Sequence, residues 1–197
     1  MVVLAAGRGL RFGGDTPKPL LALRGRPLVL HAVAAAHRSG LAPVVVVVSD
    51  ERVASALEGV GAPAPVTIVR NDAPELGISS SLQAALRALE PDATIDAAVV
   101  GLADQPLVGA DAYRRVGAAY DDGARLAVAT YGATRGNPVL IGRAHWSEAL
   151  ALAGDEGARA LLRRHGAVEV PCDGTGEPTD VDTPEDLAFL ESRERSV

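Results

Sequence analysis

Five consecutive valines, Val44–Val48, leave no polar face on a strand, because successive side chains point to opposite sides of a sheet. Such a run predicts a strand buried on both sides, and that burial requires helices above and below it. Similar short apolar runs recur at Val2–Ala6, Val66–Arg70, Ala97–Ala103, Leu126–Tyr131, Pro138–Ile141 and Ala167–Val170. Segments of helical period fall between them, at about Pro27–Arg38, Ala54–Leu57, Ser80–Leu89, Ala112–Tyr120, Ser147–Leu152, Ala158–Arg164 and Pro184–Arg193. Strands alternating with helices predict an α/β protein: a three-layer α/β/α sandwich around a mainly parallel, mixed sheet. Ligands of such sheets bind at the carboxyl ends of the strands, near a topological switch point.

The chain has 197 residues, which suits one domain over residues 1–197 and a core large enough to fold without a disulfide or structural metal. Hydrophobic residues make up 48% but aromatics only 3%, so Ala, Val and Leu must fill that core, and stacking on single-stranded nucleic acid is poorly served. A formal charge of −6 argues against a general polyanion-binding face, so any phosphate site must be local. The lone cysteine, Cys172, excludes an internal disulfide and a cysteine-rich zinc site. With no secretory signal and no apolar run long enough to span a bilayer, the expectation is a soluble cytoplasmic protein without membrane partners.

The loop after the first strand reads "LAAGRGLRFGG", followed by "PKP" at Pro17–Pro19. Gly7, Gly9, Gly13 and Gly14 allow a close backbone approach and positive φ, which together present amide N–H groups to an anion. Arg11 and Lys18 add a forked guanidinium and a point charge. The structural alternative is a glycine-rich turn with solvated basic residues. Two well-known phosphate loops do not fit. The third glycine falls one place late for a dinucleotide loop, no helix follows at once, and the P-loop pattern is absent.

Downstream, "NDAPELGISSSLQAAL" places three serines at the start of a helix, where one would suffice as a cap. "VVGLADQPLV" puts Asp104 directly after an apolar strand, either as a helix cap or as a ligand for Mg²⁺, which favours one or two carboxylates with phosphate oxygens. "DVDTPEDL" offers Asp182, with Asp180 a weaker candidate. Thr183, Pro184 and Asp186 in the same stretch resemble a capping box, and capping and metal binding are compatible. "RGNPVLIGR" reads by itself as a turn before an edge strand, and "GDEGARALL" as a helix capped by Asp155. The four histidines show no metal-ligand spacing.

Taken together, "LAAGRGLRFGG…PKP", "GISSSL", "LADQP", "RGNP", "GDEGAR" and "DVDTPED" resemble, in order, the motifs of the MobA-like nucleotidyltransferases, and most closely the molybdenum cofactor cytidylyltransferases. The resemblance runs from Val3 to Leu187. It implies a Rossmann-like fold and transfer of CMP from CTP to molybdopterin with release of pyrophosphate. Mg²⁺, or Mn²⁺ in its place, is the implied cofactor, and a molybdenum hydroxylase or its maturation factor the implied partner. By the same resemblance, nucleotide binding falls to Leu4, Ala5, Ala6, Gly7, Gly9, Arg11, Lys18, Asn71, Gly77, Ser79, Ser80 and Ser81, with Arg11, Lys18 and Asp104 catalytic. The metal falls to Asp104 and Asp182, and the acceptor to Arg135, Gly136, Asn137, Pro138, Gly154, Asp155 and Arg159. Relatives often read "GGDKPLL" or "GGPKALL"; here "GGDTPKPLL" places the lysine later. Use of GTP or another phosphorylated acceptor, a cofactor-delivering chaperone, and an NAD-dependent oxidoreductase are the alternatives.

Overall fold

The computed structural model describes residues 1–7, 15–58 and 65–192. Its main sheet has seven strands in the order β5-β4-β1-β6-β8-β7-β9: β1 is Val2–Ala5, β4 Val45–Val48, β5 Thr67–Arg70, β6 Ala97–Leu102, β7 Leu126–Tyr131, β8 Thr134–Gly142 and β9 Val168–Pro171. The chain builds outward from β1 through β4 to β5, then returns to place β6 on the other side of β1. That reversal makes the carboxyl ends of β1 and β6 the switch point of the sheet. Only β8 runs against its neighbours; the pairs β1–β4, β4–β5, β1–β6 and β7–β9 are parallel. The sheet is mixed and mostly parallel, as the strand–helix alternation predicts.

The valine runs divide their side chains between two cores. Val3, Ala5, Val46, Val48 and Val99 pack against α1 (Leu28–Arg38), α2 (Glu51–Glu58) and α4 (Ala110–Ala118). Val2, Leu4, Val45, Val47 and Val100 face α3 (Ile78–Leu89), α5 (Trp146–Ala149) and α6 (Ala158–His165). Each burial contributes about 25 cal/mol per Å² of apolar surface removed from water, which makes both helical layers obligatory. A third cluster joins Leu23, Leu28 and Val181 to Leu190 of α7 (Pro184–Ser192), fastening the last helix beside the small hairpin β2 (Ala22–Leu23) and β3 (Arg26–Pro27). Arg24 and Gly25, both with positive φ, make its two-residue turn.

Two expectations need correction. "RGNP" is not a turn leading to an edge strand: Arg135–Pro138 lie inside β8, which is central between β6 and β7. A proline can sit there because the β7–β8 register jumps from Val128↔Val139 to Ala129↔Gly136, so that Asn137 and Pro138 fall in a bulge. The β6–β8 ladder also stops at Val139, which leaves Pro138 no partner strand on that side. Nor does Asp155 cap the helix that follows it. It lies in a 3₁₀ turn, and Gly157 holds the position before α6.

Candidate active site

The turn after β6 and the segment before α7 meet around one lysine. Lys18, on the 3₁₀ turn Lys18–Leu20, is only 7% exposed. Its Nζ donates to Asp104 Oδ2 at 2.6 Å and to Asp182 Oδ1 at 2.7 Å. Burial alone would depress the ammonium's pKa. The charges and hydrogen bonds of Asp104 and Asp182 outweigh it, and the pKa stands above its ordinary value. Asp104 does not cap a helix, since α4 begins only at Ala110, with Gly109 before it. The capping box of α7 does form: Asp186 Oδ2 accepts from the Asp182 and Thr183 amides, and Thr183 Oγ1 accepts from the Asp186 amide. That box fixes the backbone on which Asp182 sits, so capping and site construction coincide.

Gln105 completes the joint, and sequence reading passed over it although it lies within "LADQP". Its side chain is buried, and Nε2 donates to Asp180 Oδ1 at 2.9 Å and to the Pro178 carbonyl at 3.2 Å. The Val181 amide donates to the Asp104 carbonyl at 2.9 Å. These bonds bind the 178–182 segment to the end of β6 and bring the two aspartates together. Desolvation, and next the charge of Asp104, push the Asp180 carboxyl above its usual range.

An open cleft extends from this cluster in both directions. Beside Asp104 lies a hollow of about 430 Å³ whose walls include Leu4, Ala6, Gly7, Gly77 and Ser81. On one side it continues past Gly7 and Pro74 into a polar hollow of about 490 Å³ that reaches Asn71. On the other it passes Asp155 to a hollow of about 270 Å³ walled by Arg135, Gly136, Asn137 and Arg159. Ala5 points into the opposite core, Ser79 is buried in α3, and Pro138 is buried at the bulge. Gly9 and Arg11 lie outside the described residues.

The serines at the start of α3 have distinct tasks. Asn71 Nδ2 donates to Ser80 Oγ at 2.8 Å and to Ser81 Oγ at 2.9 Å, while Ser80 Oγ donates to the Gly77 carbonyl. Asn71 Oδ1 accepts from the Ala73 amide, which closes the turn between β5 and α3. Gly77 has φ +88°, and a Cβ there would lie 2.5 Å from Asp155 Oδ1 and 2.6 Å from the Gly154 carbonyl oxygen. Asp155 Oδ1 accepts from the Ile78 amide at the N-terminus of α3. The segments expected to hold nucleotide and acceptor therefore touch directly. Arg135 pairs with Glu169 at 2.7 Å, whereas Arg159 is exposed at the cleft wall and has no ion-pair partner among the described residues.

The two carboxylates converge on a single cation, here the ammonium of Lys18, and carboxylates so converged fit a divalent ion as well. No helix among the described residues is long and apolar enough to cross a membrane.

Residues 1–170 match the family model for the MobA-like NTP transferase domain. Among curated proteins, the bifunctional protein GlmU of Kineococcus radiotolerans is 36% identical over 145 residues, which cover 73% of this chain and 28% of that protein. The chain spans less than a third of the length of the bifunctional curated relatives it matches. Among solved structures, an Rv0371c homolog from Mycobacterium sp. strain JC1 superposes with a TM-score of 0.79 at 32% identity, covering 96% of this chain and 94% of that one. Rv0371c from Mycobacterium tuberculosis H37Rv in complex with manganese superposes with a TM-score of 0.77 at 28% identity, over 100% and 97% of the two chains. The switch-point cleft, the converging aspartates and these likenesses place the chain in the MobA-like NTP transferase family.

Proposed function

We propose that the protein is a cytidylyltransferase that moves CMP from CTP to the terminal phosphate of a molybdopterin-type acceptor. The observation that carries this reading is the Lys18–Asp104–Asp182 cluster at the switch point, set between the Gly77–Ser81 wall and the Asp155–Arg159 wall of one cleft. An oxygen of the acceptor phosphate attacks the α-phosphorus of CTP in line. The bond from that phosphorus to the bridging oxygen breaks, and its electron pair leaves with pyrophosphate. A phosphate monoester is already ionised near neutral pH, so no group of the chain has to remove a proton. Catalysis then rests on positioning and neutralisation of charge.

In this scheme Gly7 and the residues Gly77, Ile78 and Ser81 at the start of α3, which line the hollow beside Asp104, form the nucleotide side. The "LAAG" and "GISSSL" stretches favour CTP over GTP by their resemblance to the cytidylyltransferases. Asp104 and Asp182 would hold Mg²⁺ or Mn²⁺, which supplies neutralisation of the phosphate oxygens; the likeness to a manganese-bound neighbour supports a divalent ion. Lys18 exchanges its carboxylate partners for β- and γ-phosphate oxygens as the triphosphate enters. Arg159 meets the phosphate of the acceptor. The product then passes, in the cytoplasm, to a molybdenum hydroxylase or its maturation factor.

A pyrophosphate-release assay across the four NTPs, with and without molybdopterin, tests the reading. Multiple turnovers with CTP only when molybdopterin is present are expected. Preference for GTP would reassign the nucleotide, and no turnover with any NTP would reject the enzyme.

A further inference from the structure

Away from the cleft, three side chains that sequence spacing does not connect come together. His145 ends the 3₁₀ turn Arg143–His145, Glu148 lies one turn later on α5, and His165 is the last residue of α6. One ligand atom from each lies within 4.8 Å of the other two. Glu148 Oε2 and His165 Nε2 are 2.6 Å apart, and the two imidazole rings sit 4.9 Å apart between centroids. We propose that His145, Glu148 and His165 form a transition-metal site of the Zn²⁺ class, distinct from the aspartate pair of the cleft.

The donor set decides the class of ion. Two imidazoles and one carboxylate suit Zn²⁺, Co²⁺ or Ni²⁺, whereas Mg²⁺ prefers oxygen donors throughout. His165 is exposed and its two partners are half-buried, which leaves a position for water, as a three-ligand zinc centre needs. Glu148 already meets both His165 and Arg164 at its carboxylate. Its Oε1 is paired with Arg164, which leaves Oε2 to face the imidazole where the ion would enter. The carbonyl end of α6 adds negative potential beside His165.

The ligands also stand on a rigid base. The Trp146 indole is buried and donates to the Ile141 carbonyl at 3.1 Å, and the Arg143 guanidinium stacks 4.5 Å above it while donating to the Ile95 carbonyl at 2.7 Å. His145 and Glu148 flank the anchored Trp146 at (i, i+3) spacing, which places them on one side of the turn. His165 comes from α6, whose Leu161 and Leu162 share a core with Trp146 and Ala149. An ion there staples the end of α6 to α5. Because Arg159 and Leu162 of α6 wall the acceptor end of the cleft, the staple would steady that wall without entering the chemistry.

The test is calorimetric titration of the full chain with Zn²⁺ in excess Mg²⁺, which keeps the all-oxygen aspartate pair occupied. One Zn²⁺ per chain is expected, with affinity lowered at least about 100-fold in His145→Ala and in His165→Ala, since losing a ligand exceeds the loss of an outer-shell partner. Co²⁺ should give visible absorption bands in the wild type that both variants lack. Thermal melting without metal establishes that the variants fold. Zn²⁺ should then raise the melting temperature of the wild type alone. No Zn²⁺ binding in excess Mg²⁺, or equal binding in folded variants, would overturn the site and reduce the three side chains to a hydrogen-bonded cluster.

Discussion

The ammonium of Lys18 sits 2.6 Å from Asp104 Oδ2, although 86 residues separate them in the chain, and the same nitrogen reaches Asp182 from the other side. A cation thus already occupies the focus of the two carboxylates. In the reaction proposed above, the divalent ion and the lysine compete for the same oxygens. Lys18→Met keeps the length of the stem and removes the charge. Both carboxylates are partly solvated, so the loss of stability should be about 1–2 kcal/mol rather than that of a fully buried pair. Mn²⁺ should raise the melting temperature of the variant more than that of the wild type, because no ammonium opposes it. Equal shifts in thermal melts with and without Mn²⁺ would mean that the aspartates are not the ion's ligands.

Asp104→Asn separates chemistry from architecture. The backbone carbonyl of Asp104, which holds Val181, is untouched, and Lys18 keeps Asp182. Stability should change by no more than about 1 kcal/mol, measured by urea unfolding. Pyrophosphate release should fall by about 100-fold or more, the scale on which loss of one charge-stabilising group is felt in a preorganised site. Near-wild-type, Mg²⁺-dependent release by this variant would remove Asp104 from the mechanism.

What could be read from the chain beforehand follows from the range of each interaction. The valine runs of β1 and β4 declare themselves because burial on both faces leaves no polar alternation. The reversed direction of β8 leaves no such trace, since an apolar strand reads alike either way and its bulge depends on pairing with β7. The hairpin at Ala22–Pro27 leaves no signal, because two-residue strands carry no period. Lys18, Asp104 and Asp182 were each identifiable from local motifs, but their meeting depends on Gln105 tying Pro178 and Asp180 to the end of β6. Asp155 has the local pattern of a cap for its own helix, whereas its oxygen serves Ile78, 77 residues earlier. Local pattern finds the groups; tertiary hydrogen bonds decide which groups share a site.

Gly77→Ala tests the seam between the two walls of the cleft. The φ of +88° already disfavours a side chain, and the added methyl would lie 2.5 Å from both Asp155 Oδ1 and the Gly154 carbonyl carbon. Backbone strain of that kind costs about 1–3 kcal/mol, and the 154–157 turn must also move. Urea unfolding should show the loss. The KM for the nucleotide and that for the acceptor should rise together, because one contact positions both walls. A rise confined to one substrate would show that the walls move independently.

The capping box of α7 predicts how stability responds to acid. Thr183 first, and the Asp182 amide next, hold the Asp186 carboxyl below its ordinary value, so folding favours the ionised form. A carboxyl depressed in the folded state contributes its full stabilisation above the unfolded value of about 3.9, and loses it as pH falls through the lower folded value. Asp186→Asn keeps an oxygen acceptor and removes the charge. The variant should therefore unfold at lower urea than the wild type at neutral pH, and the gap should narrow as the pH falls below the unfolded value of about 3.9. Because the box also fixes the backbone of Asp182, the variant should bind Mn²⁺ more weakly at neutral pH even where it is fully folded. A stability gap that stays constant across the acid range would mean that the Asp186 charge adds nothing to the cap, and that the hydrogen bonds hold α7 by geometry alone.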